Sequence, residues 1–221
     1  KLIIAAADDQ GRPAPARMFE AVRSRWAVFG AVAIGLYVGA EVSIGSIMIN
    51  FLNRPDVLGL SFTDAGAYLA NFYWGGALVG RIAGTALLTR VRATRLLAAC
   101  GGAAGLLCVT VVASSGPPAG FAALAIGMFN SIMFPTIFTL TLERSGVSQS
   151  ATSGLLCLAI FGGALLPMAV GMVADRHGLN AAFLVPLAAY AFIALFALSA
   201  PERGGRSEPV TEPAASVSPI P

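Results

Sequence analysis

Six blocks of continuously apolar residues, each close to the ~20 needed to cross ~30 Å of hydrocarbon, dominate this chain. A fold that lives in water has no way to bury all of them. They fall at about Trp26–Ile49, Ala65–Leu88, Leu96–Ala113, Ala119–Leu142, Ala151–Val173 and Ala181–Ser199. Short connectors rich in Arg, Asp, Gly, Ser and Pro separate them, which is turn chemistry. The blocks are too long and too evenly apolar for the alternation of a barrel strand, so each predicts a helix. Only 11% of the 221 residues are charged, against roughly 25% in a soluble domain. That deficit excludes an ordinary cytosolic enzyme. The chain is expected to be an all-α, polytopic membrane protein with six transmembrane helices over residues 26–200. A charged lead-in occupies 1–25, and a Pro-, Ser- and Glu-rich tail occupies 201–221, expected to be disordered.

Charge sets the orientation. If both ends face the cytoplasm, eleven Lys and Arg residues lie inside and two, Arg54 and Arg176, lie outside, with Arg81 within a span. Such a bias fixes both termini inside. It also accounts for the net charge of +3 without nucleic acid as a partner. Met18, Phe19, Val22 and Trp26, interleaved with Glu20, Arg23 and Arg25, suggest an amphipathic lead-in at the inner surface. The first 25 residues hold no hydrophobic core of a cleavable signal. Cys100, Cys108 and Cys157 all sit in apolar blocks and read as small buried thiols. Nothing in the chain has metal-ligand spacing or a cofactor motif, so neither is expected.

The few polar residues in the spans carry the functional argument. Glu41 is the acidic residue deep in a span, where a carboxylate must face water, find a partner or take a proton. Tyr37 lies four residues earlier on the same helix face, and Gly45 leaves room four residues later. Asn71 and Trp74 stand at spacing i, i+3 on the second span, and Asn130 lies mid-way along the fourth with Phe134 one turn on. At 1.5 Å per residue, Glu41 lies ~12 Å, Asn71 ~9 Å and Asn130 ~17 Å from the outer surface, so the three can border one cavity if their helices are neighbours. The bland reading is interhelical hydrogen bonding, at ~0.6 kcal/mol per bond.

Glycines at 76, 80 and 84, and again at 101 and 105, repeat every four residues and favour close helix packing. Pro135 and Pro167 interrupt the fourth and fifth spans, where neighbouring groups must satisfy the freed carbonyls. Arg81 can snorkel towards water and forms a basic cluster with Arg90, Arg92 and Arg95.

Several runs together resemble the fucose permease and glucose/galactose transporter family of the major facilitator superfamily. They are Tyr37-Val-Gly-Ala-Glu41, Asn71-Phe-Tyr-Trp-Gly-Gly76 leading to Gly80-Arg81, Gly127-Met-Phe-Asn-Ser-Ile-Met-Phe-Pro-Thr136, Ser153-Gly154, and Gly162-Gly163 with Pro167. The resemblance covers roughly Trp26 to Ala200 and is similar to the C-terminal half of such a transporter. It implies one half of a twelve-helix fold, built as two inverted three-helix repeats. It implies sugar–proton symport by alternating access in a bacterial inner membrane, with the N-terminal half as a missing partner. The sugar-facing residues it implies are Tyr37, Glu41, Asn71, Trp74, Asn130 and Phe134. Gly80, Arg81, Arg90 and Pro135 would serve conformational switching, and residues 1–25 would be the central cytoplasmic loop.

Two other readings compete. An intramembrane serine protease needs a nucleophile and a base within reach of each other, but Ser153 lies in a span whereas His177 lies in an outer connector. A self-sufficient half-transporter or channel acting as a homodimer stays open on the sequence. The orientation is testable by cysteine scanning with an impermeant reagent. Positions 56 and 175 should label from outside and position 94 should not, whereas labelling at 94 alone would invert the topology.

Overall fold

The computed structural model describes residues 14–200. The amphipathic lead-in is a helix, α1 (Ala14–Arg23). The first span is α2 (Arg25–Asn53), opened by Ser24, whose hydroxyl accepts from the Ala27 N–H. The second span comprises α3 (Phe62–Tyr68), a π-helical segment (Leu69–Trp74) and α4 (Gly75–Leu88). The third is α5 (Ala93–Ala113), and the fourth is α6 (Pro117–Asn130) followed by α7 (Met133–Arg144). The fifth joins α8 (Gln149–Gly162) to α9 (Leu165–His177), and the sixth joins α10 (Leu179–Ala182) to α11 (Leu184–Ser199). Five of these are continuous stretches long and apolar enough to cross a membrane. The second, over residues 62–88, is interrupted by the π segment. The expected tail over 201–221 and the first residues of the lead-in lie outside the described residues.

Proline dictates where the spans bend. Pro135, Pro167 and Pro186 each lack an N–H, and each ring crowds the carbonyl four residues back. The helix breaks fall there, at 131–132, 163–164 and 183. The first two breaks were legible in the sequence, and the third sits too near a helix start to stand out.

The first span is the hub, with α7, α8, α9 and α11 packed around it. The third span lies between α6 and α11, and the second packs its π segment and α4 on α6. The glycine ladder makes the last contact possible. A Cβ at Gly80 would collide with the Met128 carbonyl oxygen and the Ser131 hydroxyl, and one at Gly84 with Ile132. The fifth span is the least enclosed, and Phe161, Leu165, Met168 and Met172 are exposed along it. For the same reason Cys157 is exposed, contrary to the buried thiol expected, whereas Cys100 and Cys108 are buried. Periodicity could not distinguish these cases, because every position in the block is apolar.

Each membrane face is tied by side chains. On one, the Ser24 hydroxyl donates to the Ser145 carbonyl at 2.6 Å and the Trp26 indole donates to the Leu140 carbonyl at 3.1 Å. On the other, the Asn180 amide donates to the carbonyls of Val111 at 3.0 Å and Ser114 at 3.2 Å, while its oxygen accepts from Arg54 at 2.8 Å. Arg54 also pairs with Asp56, and the Asp56 carbonyl accepts from Gly116 at 2.8 Å. The Arg54 hydrogen bond holds the Asp56 carboxyl below the usual carboxylate range. This pairing is present at neutral pH and is lost as the pH falls through that lowered value.

Asn180 thus joins three connectors through one side chain. Replacing it with Ala should cost about 1–3 kcal/mol by leaving these groups without partners, read as a lower thermal unfolding midpoint. An unchanged midpoint would remove Asn180 from this role.

Candidate functional site

The proline-driven break in the fourth span creates the site. At that break the Asn130 carbonyl is turned towards the first span, where the Tyr37 hydroxyl donates to it at 3.0 Å. Tyr37 is buried, and its ring sits 6.2 Å from that of Phe134. The Asn130 side chain is fully buried, and its amide donates to the Tyr73 hydroxyl at 3.0 Å. Tyr73 gets there because Gly127 leaves its place empty. A Cβ at Gly127 would strike the Tyr73 carbonyl oxygen and crowd its ring.

Two buried polar atoms here have no hydrogen-bond partner among the described residues, Asn130 Oδ1 and the Tyr190 hydroxyl. Tyr190, from α11, is electrostatically coupled to Asn130, Tyr73 and Tyr37. The two lie close to one another, the Tyr190 hydroxyl facing the Asn130 side chain. Glu41, half-buried on the same helix as Tyr37, interacts with the Tyr37 hydroxyl and with the charge of Arg81. The Tyr37 hydroxyl therefore has one proton and two acceptors in reach, the Asn130 carbonyl and the Glu41 carboxylate.

The structure gathers Tyr37, Glu41, Asn130 and Phe134 as the sequence suggests. Asn71 and Trp74 are arranged differently. The π segment that contains them inserts an extra residue per turn, so Tyr73 rather than Asn71 turns inward. Asn71 is exposed, its amide donating to its own Ala67 carbonyl at 2.8 Å. Trp74 is half-exposed and borders Gly45 of the first span. Gly80 is buried in the contact with α6, Arg81 is exposed with its charge felt at Glu41, and Arg90 is exposed in the turn before α5. Pro135 sits at the start of α7. Sequence reading missed Tyr73 and Tyr190. Tyr73 lay inside a quoted run, but a π turn cannot be recognised from 3.6-residue spacing. Tyr190 stands in an apolar block with no polar neighbour in the sequence.

Comparison with known proteins supplies the context. No family model matches the chain. It is 49% identical over 174 residues to a glucose/galactose transporter of Brucella abortus, a match covering 79% of this chain and 42% of the relative. It is 31% identical over 178 residues to the L-fucose-proton symporter of Escherichia coli, covering 78% and 39%. The crystal structure of the E. coli fucose:proton symporter superposes with a TM-score of 0.77 at 27% identity, over 85% of this chain and 46% of that one. The chain thus spans less than half the length of the relatives it matches. Six spans folded in this way define the all-helical membrane architecture of a major facilitator half. Within that superfamily, the chain is similar over most of its length to members of the fucose permease and glucose/galactose transporter family.

The Tyr37 hydroxyl is expected to stabilise the broken fourth span. Tyr37→Phe should cost about 1–3 kcal/mol by stranding the Asn130 carbonyl, seen as a fall in thermal unfolding midpoint without loss of expression. A midpoint equal to wild type would mean that the carbonyl finds another donor.

Proposed function

We propose that this chain is the C-terminal six-helix half of a symporter that moves a hexose or fucose together with a proton by alternating access. Its setting is a bacterial inner membrane with both chain ends cytoplasmic. The names of its relatives and its partial coverage of their length support this reading, as does the eleven-to-two Lys and Arg asymmetry. The preceding half and the lipid bilayer are its partners.

The observation that carries the sugar-site reading is the polar cluster at the helix break, where the Asn130 carbonyl and amide meet the hydroxyls of Tyr37 and Tyr73 beside Phe134. Sugars are recognised by several converging donors and acceptors beside an aromatic face that packs the C–H side of the ring. Phe134 offers that face from the fourth span, and Trp74 offers another from the exposed side of the second.

Glu41 stands beside the Tyr37 hydroxyl and offers a sugar hydroxyl an acceptor at the edge of this cluster. Gly80, Arg81 and Arg90, at the other end of the second span, take part in the change between the two access states. The principal proton carriers are expected in the preceding half, so the foremost role of Glu41 is in sugar binding.

Glu41→Gln in the full-length transporter separates the two roles, because Gln keeps size and hydrogen bonding but exchanges no proton. Retained accumulation with an unaltered pH profile is expected. Collapse of accumulation with surviving downhill exchange would make Glu41 a proton carrier. Glu41→Ala with unchanged affinity, rate and pH profile would exclude both.

A further inference from the structure

A cavity of about 430 Å³ lies far from the sugar cluster, at the membrane face where the third, fourth and sixth spans end. Arg92, Arg95 and Arg144 line it, with Thr94 between the first two and Glu143 beside the third. Three guanidinium groups against one carboxylate give this wall a net positive charge. Arg92 and Glu143 are already engaged in other interactions. Arg144 is not satisfied: its Nε and Nη1 are buried and have no hydrogen-bond partner among the described residues.

The N-terminus of α5 adds to the same wall. Ala93, Thr94 and Arg95 open a 21-residue helix and line the cavity, and the cap position, Arg92, provides no side-chain acceptor. The first N–H groups of a helix have no intrahelical partners, and the helix dipole makes that end favourable for an anion. Charged side chains, buried unpaired N–H groups and a bare helix end thus converge on one space. The remaining wall is apolar, formed by Leu140, Ala197 and Leu198, and Leu198 is 73% exposed at the end of the last span. A polar anion pocket with an apolar rim at the membrane surface has the shape of a headgroup site.

We propose that this cavity binds the phosphate of an anionic phospholipid, with Arg144 and Arg95 as its direct ligands. The acyl chains leave over Leu198 along the outside of the sixth span. A zwitterionic headgroup fits poorly, because its own cation would face the three arginines.

The test uses the protein expressed from its own full-length gene, purified in neutral detergent and stripped of lipid. Short-chain phosphatidylglycerol should raise the thermal unfolding midpoint by several degrees, and short-chain phosphatidylcholine should not. Arg144→Gln should abolish the rise, and Arg95→Gln provides the same reading if the first variant does not fold. Arg23→Gln, on α1 and outside the cavity, should leave the rise intact. Equal responses to the two lipids, a rise that survives in the Arg95 variant, or loss in the Arg23 variant would overturn the proposal. A matching rise with inorganic phosphate would assign the pocket to a free anion and overturn the lipid source. A phosphatidylglycerol response that emerges only after removal of residues 201–221 would assign it to the chain's own tail, with the same consequence.

Discussion

Hydrocarbon offers no hydrogen bonds, so every polar group in these spans must find its partner inside the protein. Regular helices meet that requirement for most of the backbone. They fail where a proline interrupts the ladder, and at the break beside Pro135 a neighbouring carbonyl takes its donor from another span. The hydroxyl of Tyr37 comes from a different span to serve the carbonyl that the break exposes at Asn130. The same contact fixes the first and fourth spans against each other at mid-membrane. The proposed sugar cluster and the bracing of the helix break are thus one arrangement.

Close approach of backbones does the rest. Gly127 lets Tyr73 reach Asn130, and Gly80 and Gly84 let the second span lie flat on the fourth. In lipid there is little hydrophobic drive between helices, and packing of this kind takes its place. The two membrane faces are then closed by polar side chains of opposite ends of the bundle, Ser24 and Trp26 on one and Asn180 with Arg54 on the other. The second and fifth spans keep broad apolar faces exposed, which agrees with a chain that spans less than half of its relatives' length.

The polar chemistry is distributed by this geometry rather than by sequence order. Glu41 and Arg81 belong to different spans, yet the charge of Arg81 is felt at Glu41. Arg144 is far along the chain from Arg92 and Arg95, yet all three meet at one cavity. Neither meeting follows from any local motif. Both arise because packing sets different spans side by side.

The sequence by itself determined the number of spans, their approximate ends, the breaks at Pro135 and Pro167, and the candidacy of Tyr37, Glu41 and Asn130. Each of these follows from hydropathy, from the missing proline N–H, or from the cost of a polar group in lipid, and all are local. Only the tertiary structure decided that Tyr73 and Tyr190 join Asn130, that Asn71 turns outward, and that Cys157 is exposed. Those outcomes depend on a π turn and on which face of a uniformly apolar helix meets a neighbour. An apolar block carries no record of which side is buried, because lipid and protein interior favour the same residues.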